Sequence, residues 1–411
     1  MKRDREVQRE GETAIYIHIP FCVSKCAYCD FLSFPAGTPA GSLKMMDDYF
    51  GALSEEIGAT PHRGRRVSSI YLGGGTPSLP EPSYISGIMD CVRDAFAVGE
   101  DAEVSMEANP GTLKKDALTT YLDSGINRLS IGVQSFDDSE LAVLGRIHSA
   151  AEAEESFRMA RDAGFTDLNI DLIAAVPGQN RNSLLRSVRR AVSLGPEHIS
   201  LYSLIVEPGT PFYERYADQV PDPHYDRPVR ASGEGGLPGE DEEREMLHAA
   251  WEELEDAGYD RYEISNFARS FSGDPDRYRC RQNVTYWKRG EYLGFGPGAA
   301  SLMNRTRSSN VRDLREYIKR ISASGRAVDE GTVQDLGTED EEAEFMFLGL
   351  RMREGVSEQE FSAVFGHDID EVYGDELAKL AADGLLERRD KRVFLTALGT
   401  DLANTVMAEF I

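Results

Sequence analysis

Cysteine is scarce, five in 411 residues, which excludes a fold stapled by disulfides. Positive charge is also in short supply: 45 Lys and Arg stand against 71 Asp and Glu, a formal net charge of −26. Non-specific binding to nucleic acid works by displacing counterions from phosphates with excess cations, so no nucleic-acid partner is expected. Long apolar runs are missing, and none reaches the ~18 residues of a membrane-spanning helix. That leaves no integral membrane segment and at most a peripheral membrane contact. The opening Met1-Lys-Arg-Asp-Arg-Glu6 is charged, with no apolar signal segment behind it, so the expected compartment is cytoplasmic. Thiols stay reduced there, and clustered ones are read as metal ligands or catalytic groups. A composition of 41% hydrophobic and 28% charged residues is that of a globular chain able to bury a core.

What is present is an alternation. Short β-rich runs stand at 14–19, 68–72, 102–107, 127–133, 167–173 and 199–205. Amphipathic helical segments lie between them, such as 46–57, 117–124, 151–163 and 182–194. This pattern implies βαβ units and a parallel sheet. Six strands suggest an α/β partial (β/α)6 TIM-like barrel, with chemistry on the loops at the strands' C-terminal ends. The segment division that follows is a leader over 1–13, the barrel over 14–220 and a Pro/Gly-rich linker over 221–242. A helical and Tyr/Gly-rich region that completes the barrel then runs over 243–337. From 338 to 411, helices and a short charged hairpin read as a mainly helical winged-helix-like domain. Its basic cluster Arg388, Arg389, Lys391 and Arg392 is read as part of a structural cap.

The chemistry is concentrated in two loops. Directly after the first strand comes Cys22-Val-Ser-Lys-Cys26-Ala-Tyr-Cys29. Three thiolates at these spacings can wrap one inorganic centre, and three ligands leave one iron of a four-iron cluster open to an outside molecule. Structural zinc is the alternative, but it wants four protein ligands. Position 31, where a further Cys could sit, is Phe31, so His18 is the residue left to offer as a fourth. The second loop, Tyr71-Leu72-Gly73-Gly74-Gly75-Thr76-Pro77, ends the second strand, and its glycines let backbone approach a ligand closely.

Together these loops are similar to those of the radical S-adenosylmethionine superfamily. With Tyr16-Ile-His-Ile-Pro-Phe-Cys22, Glu107-Ala-Asn-Pro110, Gly132-Val-Gln-Ser-Phe136 and Asp171-Leu-Ile-Ala-Ala-Val-Pro-Gly178, the chain resembles the oxygen-independent coproporphyrinogen III oxidase-like group. Within that group it is most similar to the haem-chaperone branch. The resemblance implies a radical SAM-type barrel in which Cys22, Cys26 and Cys29 hold a [4Fe-4S] cluster, with S-adenosyl-L-methionine chelated at the open iron. It implies Tyr28 near the adenine and Gly74, Gly75 and Thr76 along the methionine moiety. Tyr16, Glu107, Gln134, Arg146 and Asp171 are implied as further cofactor contacts.

Two markers bear on the choice between enzyme and chaperone. Authentic oxidases of the group resemble Cys-x3-Cys-x2-Cys-x-Cys, where this chain has Phe31, and they carry a longer arm before the first strand. Both favour a protein that binds haem and passes it to haem-requiring partners such as respiratory enzymes. An oxygen-independent coproporphyrinogen III dehydrogenase, another radical SAM oxidoreductase, or a non-catalytic module that keeps the cluster as a staple are the alternatives. The branch has His-Asn-x-x-Tyr-Trp where this chain reads Gln282-Asn283-Val-Thr-Tyr286-Trp287. Gln282, Asn283, Tyr286 and Trp287 are therefore the haem-region candidates, although glutamine is a poor iron ligand. Cys280, His18, His148 and His248 are further candidates for an axial ligand.

Overall fold

The structure is a computed structural model that describes residues 12–219, 235–271 and 273–411. Six parallel strands form its centre: β1 (Glu12–Ile19), β2 (Arg66–Gly74), β3 (Ala97–Ala108), β4 (Arg128–Gln134), β5 (Leu168–Ala174) and β6 (His198–Ser203). Helices α1 (Leu43–Ala59), α2 (Pro82–Ala95), α3 (Lys115–Asp123), α4 (Asp138–Leu144), α5 (Ala150–Ala163) and α6 (Arg181–Leu194) connect them. The expected alternation is therefore the observed one, and the fold is α/β. Local chemistry fixes several boundaries. Ser149 and Glu152 form a capping box at the start of α5, and left-handed Gly164 and Gly195 end α5 and α6.

The sheet is extended at both edges. On one side β7 (Tyr259–Arg261) and β8 (Asn266–Arg269) add antiparallel to β6. On the other, β9 (Tyr292–Phe295) lies parallel to β1, and β10 (Ala300–Met303), β11 (Thr306–Ser309) and β12 (Gln334–Asp335) follow antiparallel. The result is one twelve-stranded mixed sheet, in the order β12-β11-β10-β9-β1-β2-β3-β4-β5-β6-β8-β7. These edge strands come from the Tyr/Gly-rich stretch, whose strands are too short to alternate legibly in sequence.

Successive strand residues point to opposite faces, and here the two faces differ in chemistry. Ile15, Ile17, Ile70, Leu72, Met106, Leu129, Ile131, Ile170, Leu172 and Ile199 belong to one buried core shared with the helices. The residues between them are polar: Tyr16, His18, Ser69, Tyr71, Glu103, Ser105, Glu107, Arg128, Ser130, Asn169, Asp171 and His198. The register sets these side by side, with Ser69 opposite Glu103, Ser105 opposite Arg128, Ser130 opposite Asn169 and Asn169 opposite His198. They bond across the strands: His198 Nδ1 meets Asn169 Oδ1 at 2.7 Å, and Asn169 Nδ2 donates to Ser130 Oγ at 2.7 Å. The inner wall is thus a hydrogen-bonded polar layer, as buried polar groups require.

Helix α7 (Pro211–Tyr216) follows β6, and α8 (Glu240–Asp256) packs against α6. Of the linker read over 221–242, residues 221–234 lie outside the described residues. Helix α8 begins at Glu240, inside that stretch, because Glu240, Asp241, Glu242 and Glu243 fill its first turn and complement the helix dipole. Of the leader 1–13, residues 1–11 lie outside the described residues, and Glu12 and Thr13 already belong to β1. Helix α9 (Arg281–Trp287) sits against the polar wall, its Arg281 N–H bonded to Glu103 at 3.1 Å. Helix α10 (Leu314–Ser324) packs on α1.

Beyond α11 (Thr338–Gly349), strands β13 (Val356–Ser357), β14 (Leu386–Arg389) and β15 (Arg392–Leu395) form a three-stranded antiparallel sheet, packed with helices around a separate core of Phe361, Leu377, Val393 and Val406. Two basic residues of this hairpin have internal partners: Arg388 pairs with Glu358 and Asp370, and Arg392 Nε donates to Glu354 O.

Leu129 is fully buried on the helix-facing side of β4. Leu129→Ala should cost about 2–5 kcal/mol, read as a lower urea midpoint with an unchanged slope. A loss below about 1 kcal/mol would mean this face is not the packed one.

Candidate functional site

The loop from Cys22 to Cys29 is fastened to the barrel by main-chain bonds. Gly75 N–H donates to Ile19 O at 2.8 Å and Thr76 N–H to Phe21 O at 2.7 Å, which binds the Gly-rich loop after β2 to the chain entering the cysteine loop. A Cβ on Gly75 would lie 2.6 Å from Ile19 O and 2.7 Å from Phe21 O, so no side chain fits there. Farther along, Ala27 N–H donates to Leu144 O at 3.1 Å, and Phe212 N–H donates to Ala27 O at 3.0 Å.

Three side chains bind two of the thiols, Cys22 and Cys26, into one network. Thr76 Oγ1–H is 3.5 Å from Cys22 Sγ, and Arg146 Nη1–H is 3.4 Å from Cys26 Sγ. Asn109 joins them, donating from Nδ2 to Thr76 Oγ1 at 2.8 Å and accepting from Arg146 Nη2 at 2.5 Å. Arg146 Nη2 also donates to Gly132 O at 2.7 Å, while its Nε is buried with no partner in the structure. Burial pushes the Cys22 thiol up and the Cys29 thiol up to about 11. The bare loop therefore keeps these protons until something displaces them, and a bound metal does so.

This arrangement tests what the loop could hold. All three cysteines are free, and the hydroxyl and guanidinium beside two of them are the donors that a ligating thiolate needs. Among the described residues, no three His, Cys, Asp or Glu side chains converge as a single metal ion demands. The zinc alternative also lacks its fourth ligand. His18 accepts from Tyr16 O–H at Nδ1 at 2.9 Å and donates from Nε2 to Leu32 O at 2.8 Å, so both nitrogens are committed. The thiols, spaced around a loop with a buried orphan donor nearby, fit a multi-iron cluster with an anionic neighbour.

The remaining candidates line the strand ends. Glu107 accepts from Gly74 N–H at 2.9 Å and Tyr71 O–H at 3.0 Å. Burial raises its carboxyl to about 7, and the charge of Asp171 pushes the same way. Asp171 accepts from Ser130 at 2.8 Å and Asn169 at 2.7 Å, and its carboxyl is also raised by burial. Gln134 ends β4 in a left-handed conformation, φ 69°, beside a break in register with β5. Such backbone costs a non-glycine residue about 1–3 kcal/mol and concentrates at ligand sites. Tyr28 packs on Phe212, within a small cluster that includes Leu144 and Val176. Tyr16, Glu107, Gln134, Arg146 and Asp171 are thus set around one barrel mouth by β1, β3, β4, the loop after α4, and β5.

The haem-region residues lie elsewhere. Gln282 is buried, accepting from Ser69 Oγ–H at 2.9 Å and donating to Tyr286 Oη at 2.9 Å. Its amide is spent on holding α9 to β2. Tyr286 and Trp287 wall a cavity of about 530 Å³ beside the residues that follow Cys29, which Tyr16 and His18 also line, whereas Gln282 and Asn283 do not. Cys280 is buried, and burial raises its thiol to about 12. His148 Nε2 donates to Val133 O at 3.2 Å, and burial lowers its imidazole to about 4. His248 bonds Asp401 at 2.7 Å. Asn109, which ties the thiol network together, is the site residue that the sequence reading left out. It stands in Glu107-Ala-Asn-Pro110, where an Asn-Pro pair is most simply read as a turn.

Comparison with known proteins gives concordant matches. Residues 16–191 match the model of the radical SAM superfamily, and residues 338–402 that of the HemN C-terminal domain. The chain is 35% identical over 399 residues to the heme chaperone HemW of Bacillus subtilis, covering 96% of this chain and 98% of that protein. It is 33% identical over 400 residues to heme chaperone HemW of Escherichia coli, covering 97% and 98%. The E. coli coproporphyrinogen III oxidase HemN, a radical SAM enzyme, superposes with a TM-score of 0.81 at 24% identity, covering 98% of this chain and 90% of that one. That likeness fixes the fold.

Glu107 yields a pH test. Its folded carboxyl, raised to about 7 from an ordinary 4.5, holds a proton that the unfolded chain releases earlier. Its contribution to stability is therefore full below about pH 4.5 and is lost as pH rises through 7. In ligand-free protein, Glu107→Gln should shrink the drop in urea midpoint between about pH 5 and pH 8. An unchanged drop would mean that Glu107 is already ionised in the fold.

Proposed function

The chain belongs to the HemW family of radical SAM proteins, and from that membership we propose that it is a haem chaperone carrying a [4Fe-4S] cluster and S-adenosyl-L-methionine. The observation that carries this reading is the thiol loop, bonded through Thr76, Asn109 and Arg146 to the strand ends and adjoining an aromatic-walled cavity. Cys22, Cys26 and Cys29 are the cluster ligands. When bound, the cluster supplies an electron donor and an open iron for the amino and carboxylate groups of the sulfonium cofactor.

The chain's own residues bind and orient. Gly74, Gly75 and Thr76 offer backbone close to the methionine moiety, and Tyr28 closes on the adenine side. Arg146 places a guanidinium beside a thiolate and an orphan N–H toward an anion. Glu107, Asp171, Gln134 and Tyr16 supply the remaining polar contacts. Haem is the cargo, and haem-requiring proteins such as respiratory enzymes are the receivers. The cytoplasm is the proposed compartment. Among the described residues no helix is long and apolar enough to cross a membrane, so delivery to a membrane-bound receiver would use a peripheral contact.

Phe31 favours chaperone over oxidase. It stands 64% exposed where the oxidases of the group have a further cysteine, and it borders the cavity. Anaerobic reconstitution with iron and sulfide, followed by haem titration and a coproporphyrinogen III decarboxylation assay, tests the choice. Haem uptake without decarboxylated product is expected, and stoichiometric product would replace this reading with the dehydrogenase. Cys26→Ala should lose the cluster's visible absorbance, because two thiolates cannot hold it. A full four-iron cluster in that variant would refute the ligand set.

A further inference from the structure

Tyr71 stands on β2 just before the glycine run, on the face that forms the polar wall. Across the sheet it pairs with Tyr16 of β1 and with Ser105 of β3. The two tyrosine rings stack with centroids 6.4 Å apart, but their phenols have different partners. Tyr16 O–H goes to His18 Nδ1 at 2.9 Å, and Tyr71 O–H donates to Glu107 Oε1 at 3.0 Å. Glu107 lies two residues beyond Ser105 on β3, so it is the diagonal neighbour of Tyr71 on one face, within reach of a long side chain. Ser105 is small, and its hydroxyl donates to Glu103 at 3.1 Å. The residue directly opposite Tyr71 therefore makes no claim on its phenol.

Gly73 is the next residue of β2 on that face. A Cβ there would lie 2.8 Å from the Tyr71 ring and 2.9 Å from Glu107 Oε1, so a side chain would force the phenol and the carboxylate apart. The three glycines thus have three separate tasks. Gly73 leaves room for the bond between Tyr71 and Glu107, Gly74 N–H donates to Glu107 Oε2 at 2.9 Å, and Gly75 brings two backbones together. Glu107 is held at both oxygens, one by a phenol and the other by an amide.

The surroundings oppose ionisation of this carboxyl. The titratable groups that act on it or on its partner are Tyr16 of β1, Asp171 of β5, Arg128 of β4 and Cys280 before α9. Burial and the charge of Asp171 favour the neutral form, while Tyr71 O–H and Gly74 N–H favour the carboxylate. A neutral carboxyl turns one oxygen into a donor, whereas a carboxylate accepts at both and keeps lone pairs free for a ligand.

We propose that Tyr71 is a positioning residue which, with the gap at Gly73, fixes the Glu107 carboxylate as the acceptor for an N–H or O–H group of the sulfonium cofactor. The assignment rests on the cofactor reading above and deepens it, since Tyr71 acts through Glu107.

The test is anaerobic calorimetric titration of the reconstituted full chain with S-adenosyl-L-methionine between about pH 6 and pH 9, with cluster absorbance measured on each sample. Glu107→Gln cannot ionise, so it records the pH dependence of the cofactor's own groups. Wild-type protein should bind more tightly than Glu107→Gln by a margin that grows with pH. Tyr71→Phe should bind about tenfold more weakly than wild type near pH 7. Its margin over Glu107→Gln should appear at higher pH, because loss of a donor raises the Glu107 carboxyl, and its deficit should narrow toward pH 9. Gly73 is not left-handed, so its backbone accepts alanine, and Gly73→Ala should show the same displacement. A Tyr71→Phe profile that overlies the wild type, that is weaker by one factor at every pH, or that comes with loss of cluster absorbance overturns the positioning role. A wild-type profile in Gly73→Ala overturns the part given to the gap. Wild-type protein that takes up no cofactor overturns the cofactor reading, and the proposal with it.

Discussion

Gly75 lets two stretches of backbone touch where any side chain would separate them. Its N–H reaches Ile19 O, and the next N–H reaches Phe21 O, with carbonyls so near that a Cβ would sit 2.6–2.7 Å from them. Through these two bonds the end of β1, the start of the cysteine loop and the end of β2 become one rigid junction. The thiols and the Gly-rich loop thereby hold a fixed relation to the polar wall. A ligand that spans both needs that relation fixed before it arrives, because preorganised groups lose less entropy on binding.

Around this junction the protein sets charge where burial makes it costly. The Asp171 charge adds to burial in raising Glu107, and Arg146 is buried with one nitrogen unpaired. Burying such groups without full pairing is costly, and here they gather beside a left-handed Gln134. Along the same wall His198, Asn169 and Ser130 bond to one another in register, while Arg128 is, like Arg146, buried with no hydrogen bond at Nε.

The barrel was legible in the sequence because apolar residues alternate with polar ones along the central strands, and the alternation survives folding as an apolar outer face and a polar inner one. The cysteine and glycine loops were legible because their spacing is tied to chemistry. Other features were hidden for physical reasons. Asn109 makes its bonds to Thr76 and Arg146, residues 33 and 37 positions away, and local pattern carries no record of such partners. The edge strands β9 to β12 are two to four residues long, too short for periodicity to show. Gln282 stood out as a departure from a motif, yet its amide turns inward to Ser69 and Tyr286, a direction that composition could not reveal.

The account depends on a cluster that three sulfurs hold and that leaves one iron free for an outside ligand. Electron paramagnetic resonance of the reduced, reconstituted protein, recorded with and without S-adenosyl-L-methionine, addresses this directly. A four-iron signal whose g-values shift on adding the cofactor is the predicted result. A signal that does not respond, or a preparation that holds zinc in place of iron, would contradict it.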